Sequence, residues 1–152
     1  LMSKHSNENP VYYVQYAHAR SRNVDRNAQA AGITGEDADL GLLDTAADSE
    51  LLAQLALYPS VVLTAADLNE PHRIAHYLED LAGKYHQWYA AERVVPMPLT
   101  GPEEKAADAE ALRAAKNPGP ARAAARIKLN DAACQVFENG LGLLAVTAPD
   151  KM

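Results

Sequence analysis

The sequence predicts an all-α protein, a bundle of about five helices, on three observations. Its hydrophobic share, 48% of 152 residues, leans on Ala and includes a single Phe; Ala favours helices, whereas sheets draw on β-branched and aromatic residues. Ile74, Leu78, Leu81, Tyr85 and Trp88 recur at steps of four, three, four and three, which is one apolar stripe on a helix. Helix start and stop signals punctuate the chain, with no strand-like alternation and no internal repeat between them. A chain of this length fits one domain, spanning residues 1–152, with a core of its own.

Taken in order, Asn9-Pro10 opens the first helix, because Asn caps free amides and Pro is preorganised for a first turn. That helix runs to about Ala31 and stops at Gly32, a natural left-handed terminator. Gly35 to Asp44 reads as an acidic loop. Ser49 starts a short helix with Leu51, Leu52, Leu55 and Ala56 as its apolar side, and Pro59 ends it and starts the next, SVVLTAADL. Glu70-Pro71 begins the striped helix, which runs to about Ala91, and Val94 to Pro98 is a break. Residues 99–120, Ala- and charge-rich between Gly-Pro and Pro-Gly-Pro, read as an exposed insertion with one solvated helical piece. The last helix re-enters the core from Ala121 through Ala125, Leu129, Ala132, Ala133 and Val136 and closes at Asn139-Gly140. The tail packs through Leu143, Leu144 and Val146.

Charge narrows the function. A net charge of −6 argues against a non-specific nucleic-acid binder. Its distribution is uneven: residues 1–34, with Lys4, Arg20, Arg22 and Arg26 against Glu8 and Asp25, carry +2, and residues 121–152 carry +1. Residues 35–70 hold eight acids and no Lys or Arg. Any RNA surface should therefore use the two ends of the chain. One cysteine, Cys134, excludes an internal disulfide and a multi-Cys zinc site and suits a reducing compartment. No run approaches the roughly 20 uninterrupted apolar residues of a membrane span, and LMSKHSNENP is no secretory signal. A cytoplasmic location without membrane contact is expected.

Tyr13, Tyr16 and Arg20, at i, i+3 and i+7, share one helix face. Such a face can stack unpaired bases while Arg meets a phosphate or base edge; it can equally be half-buried packing with wet hydroxyls. His72 and His76, with Glu79 a turn on, have metal-ligand spacing, yet HRIAH lacks the Glu that follows the first His in a zinc-protease motif, and surface histidines are the plainer account. His18 and His86 say nothing alone. Cys134, with no His at a suggestive spacing, reads as a buried structural thiol. Met2-Ser3-Lys4 has too little around it to be a KMSKS loop, and no P-loop, GxGxxG or G-x-S-x-G is present.

Three strings go further. SNENPVYYVQYAHAR (6–20), EPHRIAHYLEDLAGKYHQWY (70–89) and QVFENGLGLLAVTAPDKM (135–152) resemble, in order, the opening segment, long helix and C-terminus of the DALR-type anticodon-binding domain of arginyl-tRNA synthetases. The resemblance implies the helical anticodon-binding domain of a class I aminoacyl-tRNA synthetase, itself non-catalytic. Its partners would be arginine tRNA isoacceptors and the catalytic domain of the same chain, in a monomer. ATP and Mg would belong to that catalytic domain and no cofactor to this one. The family pattern maps platforms for anticodon-loop bases onto Tyr13 and Tyr16, with Arg20 a turn further. A pocket for a flipped-out base maps onto Tyr89 and Met152, with Arg93 as a flanking contact. Asp131 and Cys134 stand where the family often has basic residues, which shifts the expected electrostatic grip to Arg122, Arg126 and Lys128; the 99–120 insertion is longer than the family's. Two rivals remain: a helical protein-interaction domain that docks through its Tyr/Trp surface, and a small metal-dependent hydrolase on His72, His76 and Glu79.

Overall fold

The computed structural model describes residues 9–96, 101–105 and 107–152; Lys4, Glu8 and the Met2-Ser3-Lys4 tripeptide lie outside the described residues. The described residues form six α-helices and no strand. They are α1 (Pro10–Ala30), α2 (Ala46–Ala56), α3 (Tyr58–Leu68), α4 (His72–Ala91), a short α5 (Ala109–Ala115) and α6 (Pro120–Leu143), with 3-10 turns at Leu40–Leu42 and Gly101–Lys105. Five of them make the bundle. The helix α4 lies at its centre and touches α1, α2, α3 and α6, while α1 packs along α6. The 3-10 turn at 101–105 and α5 pack chiefly on one another, in keeping with an exposed insertion.

The stripe on α4 does what its spacing predicts. Ile74, Leu78, Leu81, Tyr85 and Trp88 are all buried, the last three completely, and each large apolar side chain so buried stabilises the fold by roughly 1.5–3 kcal/mol. The polar atoms of Tyr85 and Trp88 are paired: Tyr85 donates to Asn130 Oδ1 at 2.8 Å, and Asn130 in turn donates to the Ser21 carbonyl at 3.0 Å. Trp88 Nε1 donates to the fully buried Asp48 at 2.8 Å. The start of α1 is as the sequence reads, with Asn9 Oδ1 accepting from Val11 N at 3.0 Å. Its end is a Schellman turn in which Gly32 takes a φ of 72° and Ile33 N returns to the Ala28 carbonyl.

Several boundaries differ from the expectation. The helix α2 begins at Ala46, three residues before Ser49, because Thr45 and Asp48 form a capping box. Of its expected apolar side, Leu51 is buried, Leu55 is half-buried and Leu52 is 41% exposed. Asn139-Gly140 does not close α6. Gly140 is buried within it, where a Cβ would come 2.6 Å from Leu78 Cδ2, so glycine here lets α4 and α6 approach. The helix ends instead at Leu143, with Ala145 left-handed at φ 55° and Val146 N bonded to the Leu141 carbonyl. Leu143 is 56% exposed, so the tail packs through Leu144, Val146 and Ala148.

From Ala145 onward the chain runs along α1. Gln15 Nε2 donates to the Thr147 carbonyl at 2.9 Å, Arg22 pairs with Asp150 at 3.3 Å, and Arg26 donates to the Asp150 carbonyl at 3.2 Å. This path brings the C-terminal residue beside the face of α1 that carries Tyr16 and Arg20.

Candidate nucleic-acid interface

An open groove of about 590 Å³ is lined by Tyr16, Ala19, Arg20, Asn23 and Arg26 of α1, Tyr89 of α4, and Lys151 and Met152 of the tail. Residues 16, 19, 20, 23 and 26 follow the i, i+3/i+4, i+7 repeat that keeps one helix face in line. Ala19, 7% exposed, forms a floor; Tyr16 and Tyr89, each 38% exposed, and Met152, 52% exposed, keep apolar surface in reach of a ligand.

Arg20 organises this groove. Its guanidinium carbon lies 4.4 Å from the centroid of Tyr89 and 4.9 Å from that of Tyr16, so one cation bridges two rings from different helices. It donates to the Tyr16 hydroxyl and to His86 Nδ1, each at 2.9 Å. Behind it, the His86 ring lies 5.6 Å from Tyr16 and 5.0 Å from Tyr13. Burial, and then the charge of Arg20, push the His86 pKa down to about 4, so the ring is a neutral acceptor at neutral pH. Its Nε2 is buried with no hydrogen-bond partner among the described residues. Tyr89 is backed by Tyr85, stacked at 6.5 Å and 28°.

Of the six expected site residues, Tyr16, Arg20, Tyr89 and Met152 come together. Tyr13 does not join them. Three residues back on a helix is about 60° round the axis, which turns its ring onto His86, with its hydroxyl near Gly83, as a half-buried support under the groove. Arg93 does not line the groove but an adjoining cleft of about 90 Å³, with Val24, Asn27, Glu92, Val94 and Val95, and Tyr89 lines both. The expected grip by Arg122, Arg126 and Lys128 is corrected for the two arginines, both of which are used inside the protein. Arg122 pairs with Asp44 at 2.6 Å and the Leu42 carbonyl, and Arg126, 5% exposed, pairs with Glu92 and the Arg93 carbonyl. Lys128 stays exposed, its backbone beside Gly35. The cations lining the groove are instead Arg20, Arg26 and Lys151, and of these the sequence reading singles out Arg20 alone.

His18 is the other residue that sequence reasoning passes over. It is fully buried, its Nδ1 2.8 Å from the Pro149 carbonyl and its Nε2 3.0 Å from Glu138 Oε1. Burial alone would lower its pKa, but the acceptors around the ring, Cys134, the Glu138 carboxylate and the Pro149 carbonyl, outweigh that and raise it to about 9. The ring is therefore an imidazolium donating from both nitrogens. His18, Cys134 and Glu138 place ligand-type atoms within 4.8 Å of one another, so a histidine does meet Cys134, through space rather than spacing. Both ring nitrogens are already engaged, Nδ1 by the Pro149 carbonyl and Nε2 by Glu138. His72 and His76 stand edge-on 5.8 Å apart and are exposed, while Glu79 turns to a cleft beside Pro10 and Leu141.

The two buried histidines give pH dependences of opposite sign. His18 binds its proton more tightly folded than unfolded, so its contribution is complete below about pH 6.5 and is lost as pH rises through about 9. His86 binds its proton less tightly, so stability falls as pH drops from about 6.5 towards 4. Urea midpoints measured across this range should decline on the alkaline side, and His18→Asn, which cannot titrate, should flatten that decline.

The family profile described as "DALR anticodon binding domain" matches residues 14–152. Arginine–tRNA ligase of Bifidobacterium adolescentis is 68% identical over 152 residues, all of this chain and 26% of that protein. The enzyme of the same name from Micrococcus luteus is 50% identical over all of this chain and 25% of its own length. The chain thus spans about a quarter of the relatives it matches. Among solved structures, the arginyl-tRNA synthetase of Thermus thermophilus superposes with a TM-score of 0.70 at 30% identity, over 97% of this chain and 22% of that one. With an all-helical fold that superposes on such an enzyme and a profile match across nearly its full length, this chain belongs to the DALR anticodon-binding domain family.

Proposed function

We propose that this chain reads the anticodon loop of an arginine tRNA, as the non-catalytic, RNA-recognising part of an arginine–tRNA ligase. It works beside the catalytic domain of the same chain, in the cytoplasm and as a monomer. ATP and Mg act at that catalytic domain, which joins arginine to the tRNA. The observation that carries the reading is convergence. Side chains from residues 16–26, 89 and 151–152 line one groove that offers two phenol faces, a terminal thioether and three cations. Anticodon-loop bases are single-stranded and can be splayed onto such faces, each stacked base contributing roughly 1–3 kcal/mol. Arg26 and Lys151 line the same groove and would supply cations for the phosphates of a bound loop. The site residues proposed for this role are Tyr16, Arg20, Tyr89 and Met152 in the groove, Tyr13 as support beneath it, and Arg93 beside it.

Filter binding at one fixed salt concentration tests the proposal, since phosphate contacts make affinity steeply salt-dependent. An arginine tRNA should bind more tightly than the same transcript with an altered anticodon. Equal binding of the two would contradict anticodon reading. Absence of RNA binding would instead favour the protein-docking reading; Trp88 is fully buried and cannot serve the expected Tyr/Trp surface, whereas Leu52, Leu57, Leu63 and Leu68, on and between α2 and α3, are 41–63% exposed and none lines the groove.

A further inference from the structure

Gln15, His18, Arg22 and Arg26 recur on α1 at steps of three, four and four, one polar stripe beside the groove face. All four hold the C-terminal segment: Gln15 at Thr147, His18 at Pro149, and Arg22 and Arg26 at Asp150. Three of these tethers are solvent-accessible contacts, and exposed pairs such as Arg22–Asp150, where Asp150 is 66% exposed, hold weakly. His18 differs. It is wholly buried, is braced from α6 by Glu138 at 3.0 Å, and reaches the Pro149 carbonyl at 2.8 Å; charge-assisted hydrogen bonds of this kind are the strong ones. Pro149 stands three residues before Met152, a span of at most about 10 Å, so an anchor at Pro149 sets where the terminal methionine can lie.

We propose that His18 is a positioning residue for RNA recognition: by fastening Pro149 to α1 and α6, it holds Met152 at the lip of the groove. The proposal rests on the groove reading above. Without this anchor the tail is still packed at Val146 and Ala148, but the residues beyond keep only exposed tethers, and that stretch of the groove wall must be ordered again each time RNA binds.

Asn and Gln divide the functions of the imidazole between them. The amide nitrogen of Asn falls near the Nδ1 position and can still donate to Pro149, whereas that of Gln falls near Nε2 and serves Glu138 only. In this chain carrying 13C-methyl methionine, His18→Gln should sharpen the Met152 methyl signal without RNA present and weaken binding of an arginine tRNA by roughly five- to tenfold, the scale of one ordinary hydrogen bond's net contribution. His18→Asn should leave both near the wild-type values. In a Met152→Ala background the His18→Gln effect on affinity should vanish, since the two residues act through one element. Should His18→Gln fail to fold, Gln15→Ala/Arg22→Ala, both on accessible side chains, should leave the Met152 methyl near its wild-type state, because the His18 anchor remains; a mobilised methyl there would overturn the proposal. An unchanged methyl signal in His18→Gln, equal losses in the Gln and Asn variants, or an undiminished effect without Met152 would overturn it too. Wild-type affinity in Met152→Ala alone would sink the groove reading instead, and the methyl signal, which needs no RNA, tells the two failures apart.

Discussion

Arg20→Ala should weaken binding of an arginine tRNA by about 10- to 100-fold, more than loss of either tyrosine alone. The guanidinium lies within 5 Å of the centroids of both Tyr16 and Tyr89 and is bonded to Tyr16 and His86, so its removal unties two platforms together and takes a cation from the groove. One stacked base contributes roughly 1–3 kcal/mol, and two loosened platforms account for the upper end of the range. The change also removes a charge that lowers the His86 pKa, so that ring should titrate closer to its ordinary value in the variant. Arg20→Lys separates shape from charge. An ammonium keeps the cation but neither stacks flat nor forks between two acceptors, so its affinity should fall between those of Ala and Arg. Filter binding gives the affinities, and a histidine NMR titration checks the His86 shift.

Asp48→Ala should have the largest effect on stability, about 3 kcal/mol, because one buried carboxylate has two uses. It accepts from Trp88 Nε1 at 2.8 Å and from Thr45 N at 3.3 Å, the second completing a capping box in which the Asp48 amide donates to Thr45 Oγ1 at 3.1 Å. Removing the carboxylate leaves the fully buried indole N–H without an acceptor, a cost of roughly 1–3 kcal/mol, and dismantles half of the α2 capping box, roughly another 1 kcal/mol. Asp48→Asn should lose less, since its carbonyl oxygen can still face Trp88 while its amide opposes the Thr45 N–H. Urea denaturation of the three proteins gives the order, with Ala lowest.

These sites show what a sequence discloses and what it withholds. The α4 stripe is legible because burial of one helix side needs only the 3.6-residue period, and the ends of α1 are legible because Asn9-Pro10 and Gly32 solve local backbone problems. The start of α2 is harder to read. Asp at the third position of its capping box, in place of the commoner Glu or Gln, makes Ser49 look like the first helical signal. Gly140 misleads for a different reason: it resembles a terminator, but the space for its Cβ is taken by Leu78, sixty-two residues away.

The groove divides the same way. Helix spacing puts Tyr16 and Arg20 on one face, but only the family resemblance adds Tyr89 and Met152. Nothing in the sequence says that Arg122 and Arg126 are consumed by Asp44 and Glu92. His18 and His86 are silent in the sequence because their roles come from partners on α6, on the tail and across the aromatic cluster. The stripe Gln15, His18, Arg22, Arg26 is the one signal that could have drawn attention to His18.

The central claim is that an unstacked base enters between the tyrosine faces and the C-terminal methionine. Methyl NMR tests it directly, because the chain has only three methionines, Met2, Met97 and Met152. On titration with an arginine anticodon stem–loop, the Met152 methyl should move strongly upfield, as a ring current requires. A Met152 resonance that stays in place while the RNA binds would contradict the account.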